Sequence, residues 1–393
     1  MSGRSVVARA EQAGRLRGFV AGRPGLSVGD VGWSLAVGRS GFEERAVVVG
    51  GSREELLAGL GVVAAGESGP GVVVGSVRGR CRVGFLFAGQ GSQRVGMGRE
   101  LYGSNAVFAG AFDEVCGLIE AELGIDLAGV VLGEEGVGVG VGGVGGDSTL
   151  FAQTGLFAVE VALVAMLRSF GVVPDVVAGH SVGEVAAAFV AGVLSLGDAV
   201  RLVSHRARLM EGLPGGGAMA AVEASEEEIG VEVGGVGVSL AAVNGPRSVV
   251  VSGDVGVVDA LVGRWRARGR RARRLRVSHA FHSAWVDPVL GELGEVAAGL
   301  GYGVPSVPWV GALSGELVRE PGAAYWVAQA RGAVRFADAV VGLVGEGVDV
   351  FVEVGPDGVL SSMGSLVVPD GVFVPVLRGG VSAVDAVVSA LAR

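Results

Sequence analysis

The chain has 393 residues, half of them hydrophobic, with a mean hydropathy of +0.56 and a formal net charge of −9. That length can build more than one domain, and the acidic balance argues against general nucleic-acid binding. The apolar residues are mostly valine and alanine spread along the chain. The longest apolar stretch, near 155–167, is interrupted by Glu160 and followed by Arg168, so no membrane span is expected and a cytoplasmic protein is.

Every basic residue is arginine, isoleucine occurs only at 119, 125 and 229, and asparagine only at 105 and 244. This avoidance of AT-rich codons points to a GC-rich coding sequence, so many of the 73 glycines reflect drift and carry little conformational meaning. Cys81 and Cys116 have neither metal nor redox spacing and are expected to be packing residues.

Residues 1–80 read as an α+β unit. Helices are expected at Ala8–Val20 and Val28–Val37, a strand at Arg45–Val49, a capped helix at Ser52–Ala64 and a strand at Val72–Val74. A second unit begins with the buried-type strand Val83–Phe87, which runs into the loop Ala88-Gly89-Gln90-Gly91-Ser92-Gln93. The Gly-Val repeats from Gly133 to Gly146 suggest a surface loop, and Leu150–Leu167 a long buried helix. Residues 217–278 carry strand, helix, two strands, helix and strand, the split-βαβ order of a ferredoxin-like insertion. The chain then returns to the larger unit, where Val350–Val354 is another buried strand.

The chemistry centres on Gly179-His180-Ser181-Val182-Gly183. An apolar run leads in and an alanine-rich segment leads out, so strand, sharp turn and helix should lift the Ser181 oxygen off the sheet edge. Of the four histidines, His180 adjoins the serine, His205 lies in an arginine-rich helix, and His279 and His282 fall just after the insertion. A serine nucleophile needs a base, so the candidates are few.

Taken in order, several motifs make a specific resemblance. They are Phe85–Gln93, Gly179–Gly183, the helix carrying Arg206, His279-Ala280-Phe281-His282-Ser283, Tyr325-Trp326 through Val334-Arg335-Phe336, and Glu353-Val354-Gly355-Pro356. The chain resembles the acyltransferase domain of a type I modular polyketide synthase, related to malonyl-CoA:acyl-carrier-protein transacylases. The resemblance implies an α/β-hydrolase-like core over 81–216 and 279–393, a ferredoxin-like subdomain over 217–278, and a ketosynthase-to-acyltransferase linker over 1–80. The end at Arg393 falls where that family's core stops, implying a domain cut from a longer synthase.

Residue by residue, the resemblance implies Ser181 as nucleophile and His282 as general base. The histidine is expected to be oriented by a backbone carbonyl at the position of Gln329. Gln90 and Val182 would supply oxyanion N–H groups, and Arg206, 25 residues after Ser181, would grip a substrate carboxylate. His279, Ala280, Phe281 and Val182 match the malonyl-selective form of the family, Phe281 filling the volume an α-methyl needs. The donor would be malonyl-CoA, with no bound cofactor and no metal. The acceptor would be the phosphopantetheine thiol of an acyl carrier protein, with a covalently linked ketosynthase as neighbour. Selectivity for methylmalonyl or another extender, a serine hydrolase with the same Ser181 and His282, and a silent scaffold stand as alternatives.

The run Arg264, Arg266, Arg268, Arg270, Arg271, Arg273, Arg274 and Arg276 is either a docking patch for an acidic carrier protein or a solvated face, and the solvated face is preferred.

Overall fold

A computed structural model describes residues 1–77, 79–133, 148–233 and 237–393. Beyond Gly133, the Gly-Val stretch expected as a loop lies outside the described residues. The chain forms two compact units, Met1–Cys81 with Val384–Arg393, and Arg82–Ala383. Val384–Arg393, expected with the acyltransferase core, groups with the first unit.

In the first unit, β1 (Ser2–Gly3), β2 (Glu44–Val48) and β3 (Val72–Ser76) make an antiparallel sheet in that order. Helices Val6–Ala21 and Arg53–Ala65 close its core around Ala13, Val20, Ala46, Leu60 and Val63. The second helix starts where the sequence places it, because Ser52 and Glu55 form a reciprocal capping box.

The second unit is built on a five-stranded sheet, parallel at every pairing, from β4 (Val83–Phe87), β5 (Val176–Gly179), β10 (Trp309–Val310), β11 (Val350–Val354) and β12 (Val372–Pro375). The spatial order is β10-β5-β4-β11-β12, which puts the two strands carrying the loop 88–93 and the Ser181 turn side by side at the centre. The edge strands β10 and β12 had not been anticipated. Helix Thr149–Ser169 is long and apolar enough by length and composition to cross a membrane, yet 83% of its apolar window is buried inside the fold. It is the interior helix expected at Leu150–Leu167. Cys116 packs in the core as expected, while Cys81, the last residue of the first unit's main segment, is exposed and not the packing residue expected.

The insertion folds as an antiparallel sheet of β6 (Gly217–Val222), β7 (Val238–Gly245), β8 (Ser248–Asp254) and β9 (Ala272–Arg274), in the order β7-β8-β6-β9. Helix Val255–Ala267 packs on it through Val258, Leu261 and Trp265, and Ile229 of helix Glu226–Val233 joins the same core. This is the ferredoxin-like arrangement expected, with a last strand shorter than predicted. Val334 ties the insertion to the large sheet's layer, since its N–H donates to Ala241 O and its carbonyl accepts from Val243 N, both at 2.9 Å.

Candidate active site

β5 ends at Gly179, and the chain turns at Ser181 with φ 53 before helix Gly183–Val190 begins. Only Ser181 and His282 among the described non-glycine residues have positive φ. Such a conformation costs on the order of 1–3 kcal/mol and persists only when its surroundings enforce it. The two glycines are part of that enforcement. A Cβ on Gly179 would stand 2.4 Å from Glu184 N, and one on Gly183 would stand 2.4 Å from Phe87 O. Here glycine is required by backbone-to-backbone approach.

The turn presents Ser181 Oγ 2.8 Å from His282 Nε2. On the far side of the ring, Nδ1 lies 2.8 Å from the Gly332 carbonyl. A carbonyl only accepts, so Nδ1 carries the proton and Nε2 accepts from the serine hydroxyl. Burial, and then the Arg206 charge, lower the His282 pKa to about 3, the carbonyl opposing them. The imidazole is therefore neutral near pH 7. The orienting acceptor is Gly332, three residues beyond the position read from the sequence; the Gln329 carbonyl contributes less. The Gln329 side chain has a different task, since its Nε2 donates to the Ser181 backbone carbonyl at 2.6 Å. Helix Ala323–Arg331 ends at Arg331, and its terminus aims the free Gly332 carbonyl inward.

Arg206 lies on helix Leu196–Glu211 and is 3% exposed. Nη1 donates to Gln153 Oε1 at 2.6 Å, Nη2 donates to Ser181 Oγ at 3.2 Å, and Nε has no partner. No carboxylate lies within salt-bridge distance of it among the described residues. Burial lowers its pKa to about 10, so it stays a cation at neutral pH. A buried guanidinium with no carboxylate partner among the described residues is costly, and an anionic ligand relieves that cost. Gln153, which positions it, was not singled out from sequence; an internal glutamine in an apolar helix was the available signal.

The other histidines are engaged elsewhere. His180 Nε2 meets Asn244 Oδ1 of the insertion at 2.9 Å, and His205 Nε2 meets Glu122 Oε1 at 2.8 Å. His279 Nδ1 is 2.9 Å from Ser278 Oγ, and its ring lies 6.0 Å from that of Phe281. Ala280 and Phe281, next to His282 in the chain, are buried, as is Val182, next to Ser181. Gln90 sits in the loop after β4, which lies against the turn, since a Cβ on Gly89 would be 2.6 Å from His180 Nδ1. The Gln90 and Val182 amides donate to no protein acceptor among the described residues.

The acyl transferase domain family matches residues 84–367, most of the chain. The chain belongs to that family. Ahead of this acyltransferase domain, residues 1–60 match the CurL-like polyketide synthase C-terminal family. Over all of its length the chain is 52% identical to polyketide synthase GfsB of Streptomyces halstedii, and it spans 7% of that protein. The acyltransferase domain from the second module of the salinomycin polyketide synthase superposes with a TM-score of 0.82 at 46% identity, covering 100% of this chain and 91% of that one. The malonyl CoA-acyl carrier protein transacylase of Coxiella burnetii superposes with a TM-score of 0.69 at 27% identity, covering 79% of this chain and 97% of that one. The acyltransferase is thus of the polyketide synthase kind, with an α/β core and an inserted ferredoxin-like subdomain.

Proposed function

We propose that this acyltransferase loads a malonyl extender unit from malonyl-CoA onto the phosphopantetheine thiol of an acyl carrier protein, through an acyl-Ser181 intermediate. The observation that carries the reading is the Arg206 guanidinium, buried without a carboxylate partner among the described residues and 3.2 Å from Ser181 Oγ. A malonyl carboxylate is the anion that would complete it. A hydrolase for neutral esters has no use for such a group.

In the first half-reaction Ser181 Oγ attacks the thioester carbonyl while its proton passes to His282 Nε2. The N–H groups of Gln90 and Val182 stabilise the oxyanion; losing one such donor costs about 10²–10³ in kcat in related chemistry. The tetrahedral intermediate expels coenzyme A thiolate, which takes the proton from His282. In the second half-reaction the carrier thiol gives its proton to His282 and attacks the acyl-serine. Collapse releases Ser181, which recovers that proton. Gly332 keeps the imidazole in the tautomer both steps need.

Phe281, packed beside the base, is the residue we assign to excluding an α-methyl, with His279, Ala280 and Val182 shaping the same wall. Packing against one methyl supplies about 1–3 kcal/mol, or roughly 10–200-fold, so selectivity is real but finite. Residues 1–80 are read as the linker to a ketosynthase, and further synthase domains as covalent neighbours.

The test is intact-protein mass after brief incubation with malonyl-CoA and methylmalonyl-CoA in competition. A dominant malonyl adduct that disappears in Ser181→Ala is expected. Release of coenzyme A without any adduct, and without stimulation by carrier protein, would replace this reading with a hydrolase.

A further inference from the structure

Behind the nucleophile lies a buried acid that the transfer chemistry leaves unused. Glu184, in the first turn of the helix that follows Ser181, is fully buried. Its Oε1 accepts from the Tyr325 hydroxyl at 2.6 Å and from the Ala312 N–H at 3.0 Å. The Gln329 side chain and the Trp309 indole lie against the same carboxyl group. Because Gln329 Nε2 donates to the Ser181 carbonyl, the orientation of this amide is set, and Oε1 is left as its acceptor end.

Glu184 Oε2 and Gln329 Oε1 are both buried, and both lack a partner among the described residues, as does the Trp309 Nε1 donor beside the same carboxyl; an indole N–H can serve Oε2 but leaves Gln329 Oε1 without a donor. The two oxygens belong to adjoining side chains, and one proton satisfies both, since a carboxylic acid O–H can donate to an amide oxygen. We propose that Glu184 is a positioning residue that keeps its proton and donates it as an O–H hydrogen bond to Gln329 Oε1, locking the amide that grips the Ser181 carbonyl. Donors then run in one direction, from Tyr325 to Glu184, from Glu184 to Gln329, and from Gln329 to the nucleophile's backbone. The chain ends on the strained turn, and so sets the aim of Ser181 Oγ at His282.

The charged and titratable groups recorded around Glu184 are Tyr325 from helix Ala323–Arg331 and Arg206 from helix Leu196–Glu211. The segment after Trp309 presents an indole and the Ala312 amide. Burial favours the neutral acid, while the hydrogen bonds from Tyr325, Ala312, Gln329 and Trp309 and the charge of Arg206 favour the ionised one; burial dominates and brings the group to about 7. The proton is thus held below about pH 7 and lost above it.

Two measurements on the whole chain test this, and only the second rests on the acyltransferase reading. Infrared difference spectra between wild type and Glu184→Gln should contain a protonated-carboxyl band at pH 6 that fades as pH rises through about 7. Tyr325→Phe, which leaves Oε2 and Gln329 in place, should retain it. Serine acylation by malonyl-CoA should fall in the wild type over the same range. Glu184→Gln, whose amide N–H can replace the acid O–H, should lack that fall and outpace Glu184→Ala about tenfold or more. Absence of the band at pH 6, or equal impairment of the Gln and Ala variants with the pH limb intact, would overturn the proposal. Absence of all acylation, with the band present, would sink the acyltransferase reading and leave the assigned proton standing.

Discussion

Ser181 Oγ accepts from Arg206 and donates to His282, while its backbone carbonyl accepts from Gln329. The hydroxyl is thereby aimed before any substrate arrives. Burial and Arg206 together hold His282 neutral, the state its proposed role as base requires. His282→Ala should lower the acylation rate by about 10²–10⁴, the range for a lost general base, in single-turnover measurements. Removing the cation from Arg206 relieves a repulsion on the imidazolium, so the acid limb of the kcat/KM pH profile should move upward in Arg206→Ala. Ser181, His282 and Arg206 were legible as sparse, chemically distinctive side chains in ordered motifs. Gly332 was not, because its contribution is a main-chain carbonyl, which no residue type announces. Gln329 was read as the source of that carbonyl; its own carbonyl is the lesser acceptor, and its side chain donates to the Ser181 carbonyl.

The strand-turn-helix element was readable from its glycines, even in a chain where most glycines had been discounted. Gly183→Ala should force the turn away from Phe87 O, lowering stability by about 1–3 kcal/mol, as overpacking does, and abolishing the acyl-serine adduct. Urea unfolding and intact mass check the two effects. Edge strand β10 is two residues long, too short to show a period, and β12 lay in a Val-Phe-Val run that was not weighed. Five arginines of the insertion's run have acidic partners that lie outside any local window. Arg264 and Arg268 both meet Glu232, Arg270 meets Glu228, Arg271 meets Glu223 and Arg274 meets Asp259. These pairs favour the solvated face. Reversing Arg270 and Arg271 to Glu should therefore leave the carrier-protein KM unchanged in steady-state transfer assays.

Across the molecule, the ordered motifs span both the sheet and the insertion, which is why fold class could be read while the membership of Val384–Arg393 could not. The site also leaves a mark on global stability. His282 has an ordinary value of 6.5 and about 3 in the fold. Below pH 6.5 the unfolded chain takes up a proton that the folded one refuses, so stability falls as pH drops from 6.5 toward 3. Between pH 7.5 and pH 5 this amounts to roughly 2 kcal/mol, and His282→Gln should recover that difference relative to wild type in urea unfolding at the two pH values.

The central claim is that Arg206 waits for a substrate carboxylate, and the ratio of kcat/KM for malonyl-CoA over acetyl-CoA, in wild type and Arg206→Ala, tests it most directly. Wild type should prefer malonyl strongly, and the variant should lose malonyl activity by roughly 10–100-fold, the worth of a charged hydrogen bond, while acetyl transfer is spared. An equal loss for both donors would contradict it, leaving Arg206 as support for Ser181 with no hand in choosing the acyl group.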